Sequence, residues 1–365
     1  MTLRVAASMD HGGVANSTAG PALMWNNIGC SLRQATATEL ENSVAGPFDG
    51  RWHATDKYWY FSSSVSGSRV MFPPTFVNDT FWIGFSYYRV SGGSTAGDMF
   101  GIQRGLATWD GTSSFVNTGF DVFRINWVSG NDFQAVDAAG TSIGSTFEIT
   151  EDQWHWFAAE VDATPTGTLT IKIDGITVVS AASGDFQGTS TVSQELYHLC
   201  VDLGKGAAGY DDIIVGDGEG SVNTGIPDDT RIETLVPTGD DSLTGFTSTT
   251  WDKVDDFDLS DDDTTHTAAS AVSDQYTLTT GTIGTSPSSI IGCQLLTKAR
   301  STDGGLATLR PRIDSGGTYY NADDFFLPPI DYLCNSFIWE LDPDAGPGAW
   351  TESAVNAVKL SGIIV

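Results

Sequence analysis

The sequence predicts an all-β protein built from two antiparallel β-sandwiches. Three observations carry this prediction: many glycines, a large aromatic content, and a stretch of strict period-2 alternation. The 365 residues include 41 glycines, 11 tryptophans and 19 phenylalanines, which favours short strands joined by tight turns around an aromatic core. Because single cores stop growing at roughly 250 residues, we expect two domains.

The clearest local signal is a hairpin in the first half of the chain. Leu169, Ile171 and Ile173 alternate with polar residues, as in a strand with one buried face. Asp174-Gly175 follows, and this dipeptide supplies the left-handed backbone angles of a two-residue turn. The apolar run 176–179 then predicts the returning strand.

Three other stretches predict strands with distinct environments. Residues 80–90 are nearly all apolar, which predicts a strand buried on both faces. Residues 120–128 alternate in part, with Val122, Arg124 and Asn126 on one face and Phe123, Ile125 and Trp127 on the other. The apolar end, 355–365, is expected to dock as a last strand or against a partner.

The boundary between the two domains is predicted just after the strand 210–215. This strand ends in Gly216, Asp217, Gly218 and Gly220, and glycine with aspartate marks an abrupt turn. Beyond it the composition changes to aspartate and threonine, and a second β-pattern begins. The predicted organisation is therefore a domain at 1–220, a linker at 221–232 and a second domain at 233–365.

The charge excludes one class of partner. With a formal net charge of −29 and a pI near 4.1, the surface repels phosphate backbones, so no nucleic acid partner is expected. The start of the chain has no apolar run of signal-peptide length, and no segment is long enough to span a bilayer, so neither secretion nor membrane insertion is expected. The cysteines are widely spaced without a CxxC pair, which favours buried free thiols: Cys30, Cys200, Cys293 and Cys334.

A family resemblance supports the first domain. The segments 153–156 and 167–175, a tryptophan-rich strand and a hairpin ending in Asp-Gly, resemble concanavalin A-like and laminin-G-like jelly rolls. The strand 210–215, in which an acidic pair precedes three apolar residues, is similar to the last strand of those folds. The resemblance implies a jelly roll over 1–220 and a smaller β-sandwich after it.

A second resemblance covers about 205–365. The order of 232–240, Trp251-Asp252, the acidic run 261–263 and the end 350–357 is similar to virion structural proteins of tailed bacteriophages. It implies a tail- or capsid-associated protein, made in the host cytoplasm and located in the virion. It also implies other virion proteins as partners, possible contact with a host surface glycan, and a homo-oligomer, with a trimer as the first expectation.

Two kinds of binding residue are predicted. An exposed aromatic face stacks on sugar rings, so a carbohydrate-binding module is the alternative function, with four candidate residues: Tyr58, Tyr60, Trp109 and Trp127. Three acidic side chains lie at the predicted domain boundary: Asp211, Asp212 and Asp217. They either keep this boundary hydrated or bind a cation, for which calcium is the natural choice. No other cofactor is expected.

The sequence predicts no enzyme. Retaining glycanases of the concanavalin A-like fold need a Glu-x-Asp-x-x-Glu strand that holds two carboxylates about 5–5.5 Å apart. The nearest match, 340–345, lacks the second glutamate and contains Pro343. The five histidines form no HxH or HExxH pair, and no Gly-x-Ser-x-Gly elbow is present. A glycan-degrading enzyme is therefore the least favoured of the three functions.

Overall fold

The structure is a computed structural model. It defines the backbone of these residues: 2–7, 31–33, 41–42, 59–61, 69–71, 80–91, 97–105, 107–109, 115–117, 120–187, 198–202, 208–217, 222–223, 225–246, 251–254, 266–284, 286–302, 307–327 and 333–365. The chain forms two compact units, the first ending at Ile232 and the second beginning at Glu233. All the residues of the predicted linker 221–232 that the structure describes thus belong to the first unit.

The described part of the first unit contains two large antiparallel sheets, which we call sheet A and sheet B. Sheet A has the order β15-β14-β13-β6-β17-β4-β3, with β1 also paired to β17, and sheet B has the order β12-β11-β10-β7-β16-β5-β2. β8 and β9 pair with each other as a small sheet C. The strands are β1 (Thr2–Ala7), β2 (Ser31–Arg33), β3 (Glu41–Asn42), β4 (Trp59–Phe61), β5 (Arg69–Met71), β6 (Thr80–Arg89), β7 (Gly97–Gly105), β8 (Ala107–Trp109), β9 (Phe115–Asn117), β10 (Phe120–Ser129), β11 (Asp132–Asp137), β12 (Ser142–Glu148), β13 (Trp154–Asp162), β14 (Gly167–Ile173), β15 (Ile176–Gly184), β16 (His198–Asp202) and β17 (Ala208–Asp217).

Aromatic rings fill the space between sheets A and B. Phe100 of sheet B meets Phe85 and Phe157 of sheet A in edge-to-face contacts, with ring centroids 5.2 and 4.7 Å apart. Tyr87 and Tyr210 extend this cluster with centroids 5.3 Å apart. All five side chains are almost completely buried. The aromatic content of the sequence therefore serves the core of a β-sandwich, as predicted.

Three local predictions for the first unit are confirmed. The strand β6 is buried on both faces over nearly its full length. The hairpin of β14 and β15 turns at Asp174 and Gly175, whose φ angles of 51° and 78° are both left-handed, as a two-residue turn requires. The strand predicted at 210–215 is also present as part of β17, which starts two residues earlier and ends two residues later.

The second unit is built on a further antiparallel sheet, sheet D, with the order β18-β19-β25-β21-β22 and with β23 also paired to β21. The antiparallel pair β20 and β24 accompanies it. Its elements are β18 (Pro237–Thr244), a 3-10 helix (Trp251–Lys253), β19 (Gln275–Thr280), β20 (Cys293–Ala299), β21 (Ala307–Ser315), β22 (Thr318–Asn321), β23 (Phe325–Leu327), β24 (Leu333–Trp339), α1 (Glu352–Ala357) and β25 (Lys359–Ile364).

The C-terminal strand completes the second unit. β25 lies in the middle of sheet D, between β19 and β21, so the prediction that the apolar end docks as a strand is confirmed. The short helix α1 precedes it and was not predicted; Thr351 caps it by accepting a hydrogen bond from the Ala354 amide. Val355 of this helix packs with Leu295, Ile313 and Trp350 in the core.

The all-β fold class is confirmed for the described residues, since antiparallel sheets make up both units. The finer assignment of a jelly roll stays a prediction. Cys293 is a free thiol, as predicted, and burial raises its pKa to about 12. The other cysteines fall outside the side chains that the structure describes. No helix among the described residues is long and apolar enough to cross a membrane.

Candidate functional site

The outer face of sheet A is covered by the segment 225–232, which we call the strap. The Trp156 indole Nε1 donates a hydrogen bond to the Pro227 carbonyl at 3.2 Å. The Ile232 amide donates to Asp212 Oδ1 at 2.9 Å. Trp82 and Trp156, both on this face, are at most 1% exposed. The strap therefore leaves these tryptophans inaccessible to a ligand.

Glycines in sheet A make room for these two indoles. A Cβ atom at Gly84 would lie 2.5 Å from Cζ2 of Trp156, and one at Gly216 would lie 2.3 Å from Cε2 and Cζ2 of Trp82. Real Cβ atoms do not approach this closely. Each tryptophan thus lies across a glycine of a neighbouring strand. Gly216, which the sequence suggested was only the end of a strand, is a packing position under a buried indole.

Glu160 is a charged group on this covered face, and it yields a pH prediction. Burial raises the pKa of Glu160 above its ordinary value, and the nearby Lys172 opposes this only in part. A carboxyl whose folded pKa is raised costs nothing below its ordinary pKa and destabilises the fold as pH rises through the folded pKa. Replacing Glu160 with glutamine is therefore expected to stabilise the protein at neutral pH and not in acid.

Chemical denaturation of wild type and Glu160→Gln at neutral pH and below the ordinary glutamate pKa measures this difference. Glu148→Gln, the same exchange at an exposed position of β12, is the control, and it should change stability little at either pH. An equal change in stability at both pH values for Glu160→Gln would show that the shifted pKa has no part in it.

Sheet B presents a different outer face. Phe123 and Ile125 of β10 point into the core and are completely buried. Because side chains alternate along a strand, Arg124 and Asn126 lie on the opposite, outer face. Val122 and Val136 of the same face are nearly fully buried, while Arg124 and Asn126 are half-buried. The outer face of sheet B thus carries half-buried polar side chains beside buried apolar ones.

Arg124 is positioned by a glycine on the neighbouring strand. Gly101 of β7 pairs directly with Arg124, and a Cβ atom there would lie 3.0 Å from Cγ and 3.8 Å from Cδ of the arginine. The aliphatic part of Arg124 therefore packs over Gly101. A larger residue at position 101 would push the guanidinium away from this place.

Two amide side chains accompany Arg124. Asn126 pairs in register with Gln134 of β11 and with Asp98 of β7. Gln134 Nε2 is held by the carbonyls of Ile143 at 2.8 Å and Ala135 at 3.1 Å. Asn126 Oδ1 is buried and has no hydrogen-bond partner within the described part of the chain. A buried polar atom without a partner is costly, and a bound ligand with a donor group would satisfy it.

Strand pairing extends the row of Arg124 across sheet B. Gly101 pairs with Asp202 of β16, Asp202 with Arg69 of β5, and Arg69 with Arg33 of β2. One transverse row thus combines three arginine positions with one aspartate. Since residues paired directly across strands share a face, the register places all of these positions on the outer face.

The next two outward rows each contain one further candidate. Gln103 of β7 pairs with Cys200 of β16, and His198 of β16 pairs with Gly105 of β7. Positions 101, 103 and 105 share one face, opposite to the buried Phe100 and Ile102. The register therefore brings a glutamine position next to the arginine row, and a histidine position one row further along the strands.

The charge of this row is unusual for the chain. The whole protein has 17 Lys and Arg against 46 Asp and Glu, yet this row holds three arginines and one acid. Arginine pairs with carboxylates through two parallel hydrogen bonds, so a row with three arginine positions suits an anionic ligand.

The predicted sugar-stacking residues are not brought together on this face. Trp127 of β10 alternates with Arg124 and Asn126, so it lies on the same face as Phe123 and Ile125. Its Nε1 donates a hydrogen bond to the Gly130 carbonyl at 2.8 Å. Tyr60 lies on β4 of sheet A and Trp109 on β8. Tyr58 lies outside the described residues. Carbohydrate stacking on these residues stays a prediction.

The three predicted acidic residues are all buried on β17. A register shift lies between Asp211 and Ile214, and Asp212 has a left-handed φ of 50°. Asp212 accepts hydrogen bonds from Ser86 Oγ and from the Ile232 amide, so it attaches the strap to sheet A. Within the described ranges, no group of three His, Cys, Asp or Glu side chains could hold a metal ion. Calcium binding by Asp211, Asp212 and Asp217 stays a prediction.

One side-chain network was missed by sequence reasoning. His155 is buried, its Nδ1 lies 2.6 Å from Asp174 Oδ2, and its Nε2 lies 2.9 Å from Thr150 Oγ1. Asp174 also accepts a hydrogen bond from the Trp156 amide through Oδ1 at 2.7 Å. These contacts connect the β14–β15 turn to β13. The sequence did not indicate this network, because Asp174 and His155 are brought together only by the pairing of β13 with β14.

No family model and no curated protein sequence matches this chain. Solved structures resemble it weakly. A mutant of alginate lyase Aly36B in complex with alginate trisaccharide has a TM-score of 0.39 and 14% identity, covering 59% of this chain and 98% of that one. An endo-β-1,4-glucuronan lyase from Trichoderma reesei has a TM-score of 0.35 and 12% identity, covering 51% and 90%. A Trypanosoma rangeli sialidase in complex with sialic acid has a TM-score of 0.31 and 8% identity, covering 43% and 25%.

These comparisons contradict two predictions from the sequence. The prediction of a virion structural protein is wrong, because the chain is similar instead to polysaccharide lyases and a sialidase. Of the alternative, a non-catalytic carbohydrate-binding module, the non-catalytic part is wrong, while carbohydrate binding stays a prediction. The prediction that the chain is not an enzyme is wrong on the same finding. This prediction failed because the absence of a Glu-x-Asp-x-x-Glu strand excludes only the retaining-glycanase mechanism. It does not exclude other ways of cleaving a polysaccharide. At TM-scores below 0.4, the likeness by itself assigns no activity to this chain.

The resemblance to tailed-phage virion proteins is not tested by these comparisons and stays a prediction. The same holds for the oligomeric state, the partners and the location in a virion.

Proposed function

We propose that the chain is a carbohydrate-active enzyme that binds an acidic polysaccharide on the outer face of sheet B and cleaves it by β-elimination. The observation that supports this most is the row of Arg124, Arg69 and Arg33 on one face of an otherwise acidic protein. A polymer of uronic acids carries a carboxylate on every sugar, and arginines in a row match such a repeating charge. A sheet face with arginines on several strands suits an extended chain.

Arg124 and Asn126 are proposed to neutralise the carboxylate of the sugar that is cleaved. Neutralising this group makes the proton on the adjacent carbon, C5, easier to remove, because negative charge accumulates on the carboxylate in the transition state. Arg124 is already held in place over Gly101. The amide of Asn126 offers a donor, and its unpartnered Oδ1 can accept from a sugar hydroxyl.

His198 is proposed as the general base, since its register position lies on the outer face, opposite Gly105 and two rows along the strands from Gly101. Histidine is the side chain that most often transfers protons near neutral pH. The base takes the C5 proton, the electrons of that bond form a C4–C5 double bond, and the C4–O4 bond breaks. The leaving oxygen then takes that proton back from the protonated base, so the step consumes no water and needs no oxidant.

An eliminase assay tests this function. The full chain is incubated with alginate, polyglucuronate and polygalacturonate, and the ultraviolet absorbance of the new C4–C5 double bond is followed. We expect absorbance to rise with at least one of these polyuronates. The matched control is the same polymer after its carboxylates have been reduced to alcohols, which removes the charge and retains the backbone.

The proposed function is contradicted if none of the three polyuronates gives an unsaturated product. It is also contradicted if the carboxyl-reduced polymer is cleaved equally well, because the arginine row would then have no part in recognition. Products that carry an added water, seen by mass spectrometry, would point to hydrolysis instead.

A further inference from the structure

The second unit carries an aromatic ring that is fixed in place and yet exposed. Tyr319 on β22 is 40% exposed. Its hydroxyl lies 2.9 Å from Thr277 Oγ1 of β19, and the Arg312 guanidinium carbon lies 3.9 Å from the centre of its ring. The cation covers one face of the ring and the hydroxyl bond fixes its orientation. The other face is left for contact with solvent or a ligand.

The support beneath this ring is a polar network on one face of sheet D. Arg312 is buried, and it donates to Ser361 Oγ and to Gln275 Oε1, each at 2.8 Å. Arg312 pairs in register with Ser361, and Thr277 pairs with Ser361 on the other side. The opposite face of the sheet holds Ile313 in the apolar core. The side chains beneath Tyr319 are therefore ordered before any ligand arrives.

Polar groups that could bind hydroxyls flank the ring. Asp314 pairs in register with both Tyr319 and Lys359. Lys359 Nζ lies 2.9 Å from Asp241 Oδ1 and 3.8 Å from Asp314 Oδ2. Asp314 is 8% exposed, and its Oδ1 has no hydrogen-bond partner among the described residues. A sugar hydroxyl would supply a hydrogen-bond donor for this acceptor.

We propose that Tyr319, with Lys359, Asp241 and Asp314 beside it, forms a binding site for a neutral, β-linked glycan on the second unit. A pyranose with equatorial hydroxyls exposes an apolar face of axial C–H groups, which stacks on an aromatic ring. The hydroxyls at its edge match the mixed donors and acceptors next to Tyr319. The acidic side chains at the ring oppose a polyuronate, so this site and the arginine row of the first unit select different ligands.

The test measures cellohexaose binding to the full chain by isothermal titration calorimetry. Wild type is expected to bind. Tyr319→Ala is expected to weaken binding by about tenfold or more, because the stacking surface is lost. Tyr319→Phe keeps the ring and loses only the bond to Thr277, so it is expected to lose less. One control is expected to leave binding unchanged: Phe326→Ala, which removes an aromatic ring that is 69% exposed elsewhere in the unit.

The proposal is overturned if cellohexaose does not bind, or if Tyr319→Ala binds it as wild type does. An equal loss in Phe326→Ala would also overturn it, since contact would then not be specific to this ring. Denaturation midpoints of the two Tyr319 variants separate loss of the surface from loss of the fold. Because the glycan is neutral and the site lies in the other unit, failure here leaves the polyuronate activity of the first unit untouched.

Discussion

Arg124→Ala is expected to lower the rate of polyuronate cleavage by about 100-fold or more, a magnitude typical for removal of one group that stabilises transition-state charge. The reason is that Arg124 is the arginine whose side chain is fixed on the outer face of sheet B, where it packs over Gly101. Arg124→Lys is expected to recover only part of the rate, since lysine retains the charge and loses the two parallel hydrogen bonds to a carboxylate. Initial rates of double-bond formation provide the measurement.

Arg310→Ala is the matched control for this variant. Arg310 lies in the second unit and pairs with the exposed Asp324, so its removal changes the net charge by the same amount at a different place. We expect it to leave the rate unchanged. Equal losses in both variants would mean that the general charge of the protein, and not the row of sheet B, governs the reaction.

Gly216→Ala is expected to destabilise the first unit by about 1–3 kcal/mol or more, the usual cost of adding a methyl group to a well-packed core. The added Cβ would lie 2.3 Å from the Trp82 indole, which is 1% exposed. Urea denaturation followed by tryptophan fluorescence measures the change.

Gly225→Ala makes the same exchange where there is room. No atom lies within 4 Å of a Cβ at position 225, and its backbone does not require glycine, so stability should stay within error of wild type. If Gly216→Ala changed stability as little as Gly225→Ala, Trp82 would not pack against Gly216 of β17 in the way given above.

The parts of the fold that sequence could predict are those with local causes. The turn at Asp174 and Gly175 follows from two residues that tolerate left-handed angles, and the buried strand β6 follows from an unbroken apolar run. The strap could not be predicted in the same way. It depends on contacts such as that between Trp156 and Pro227, 71 residues apart, which no local pattern encodes.

The candidate site shows the same limit more sharply. The alternation of Arg124 and Asn126 with Phe123 and Ile125 was visible in the sequence, and it correctly placed both polar residues on one face. Nothing local indicated that Arg69 and Arg33 share that face, because their row exists only through the pairing of β5 with β16 and β2. The local signals considered in the sequence were carboxylate pairs and aromatic runs. The proposed eliminase uses neither of them.

The most direct test of the central claim is hydrogen–deuterium exchange of the full chain with and without a short alginate oligosaccharide. We expect protection in β7, β10 and β16 of sheet B and none in the strap 225–232, which covers the outer face of sheet A. Arg124→Ala should abolish that protection. Protection of the strap, or of sheet A alone, would contradict the assignment of the polysaccharide site to the outer face of sheet B.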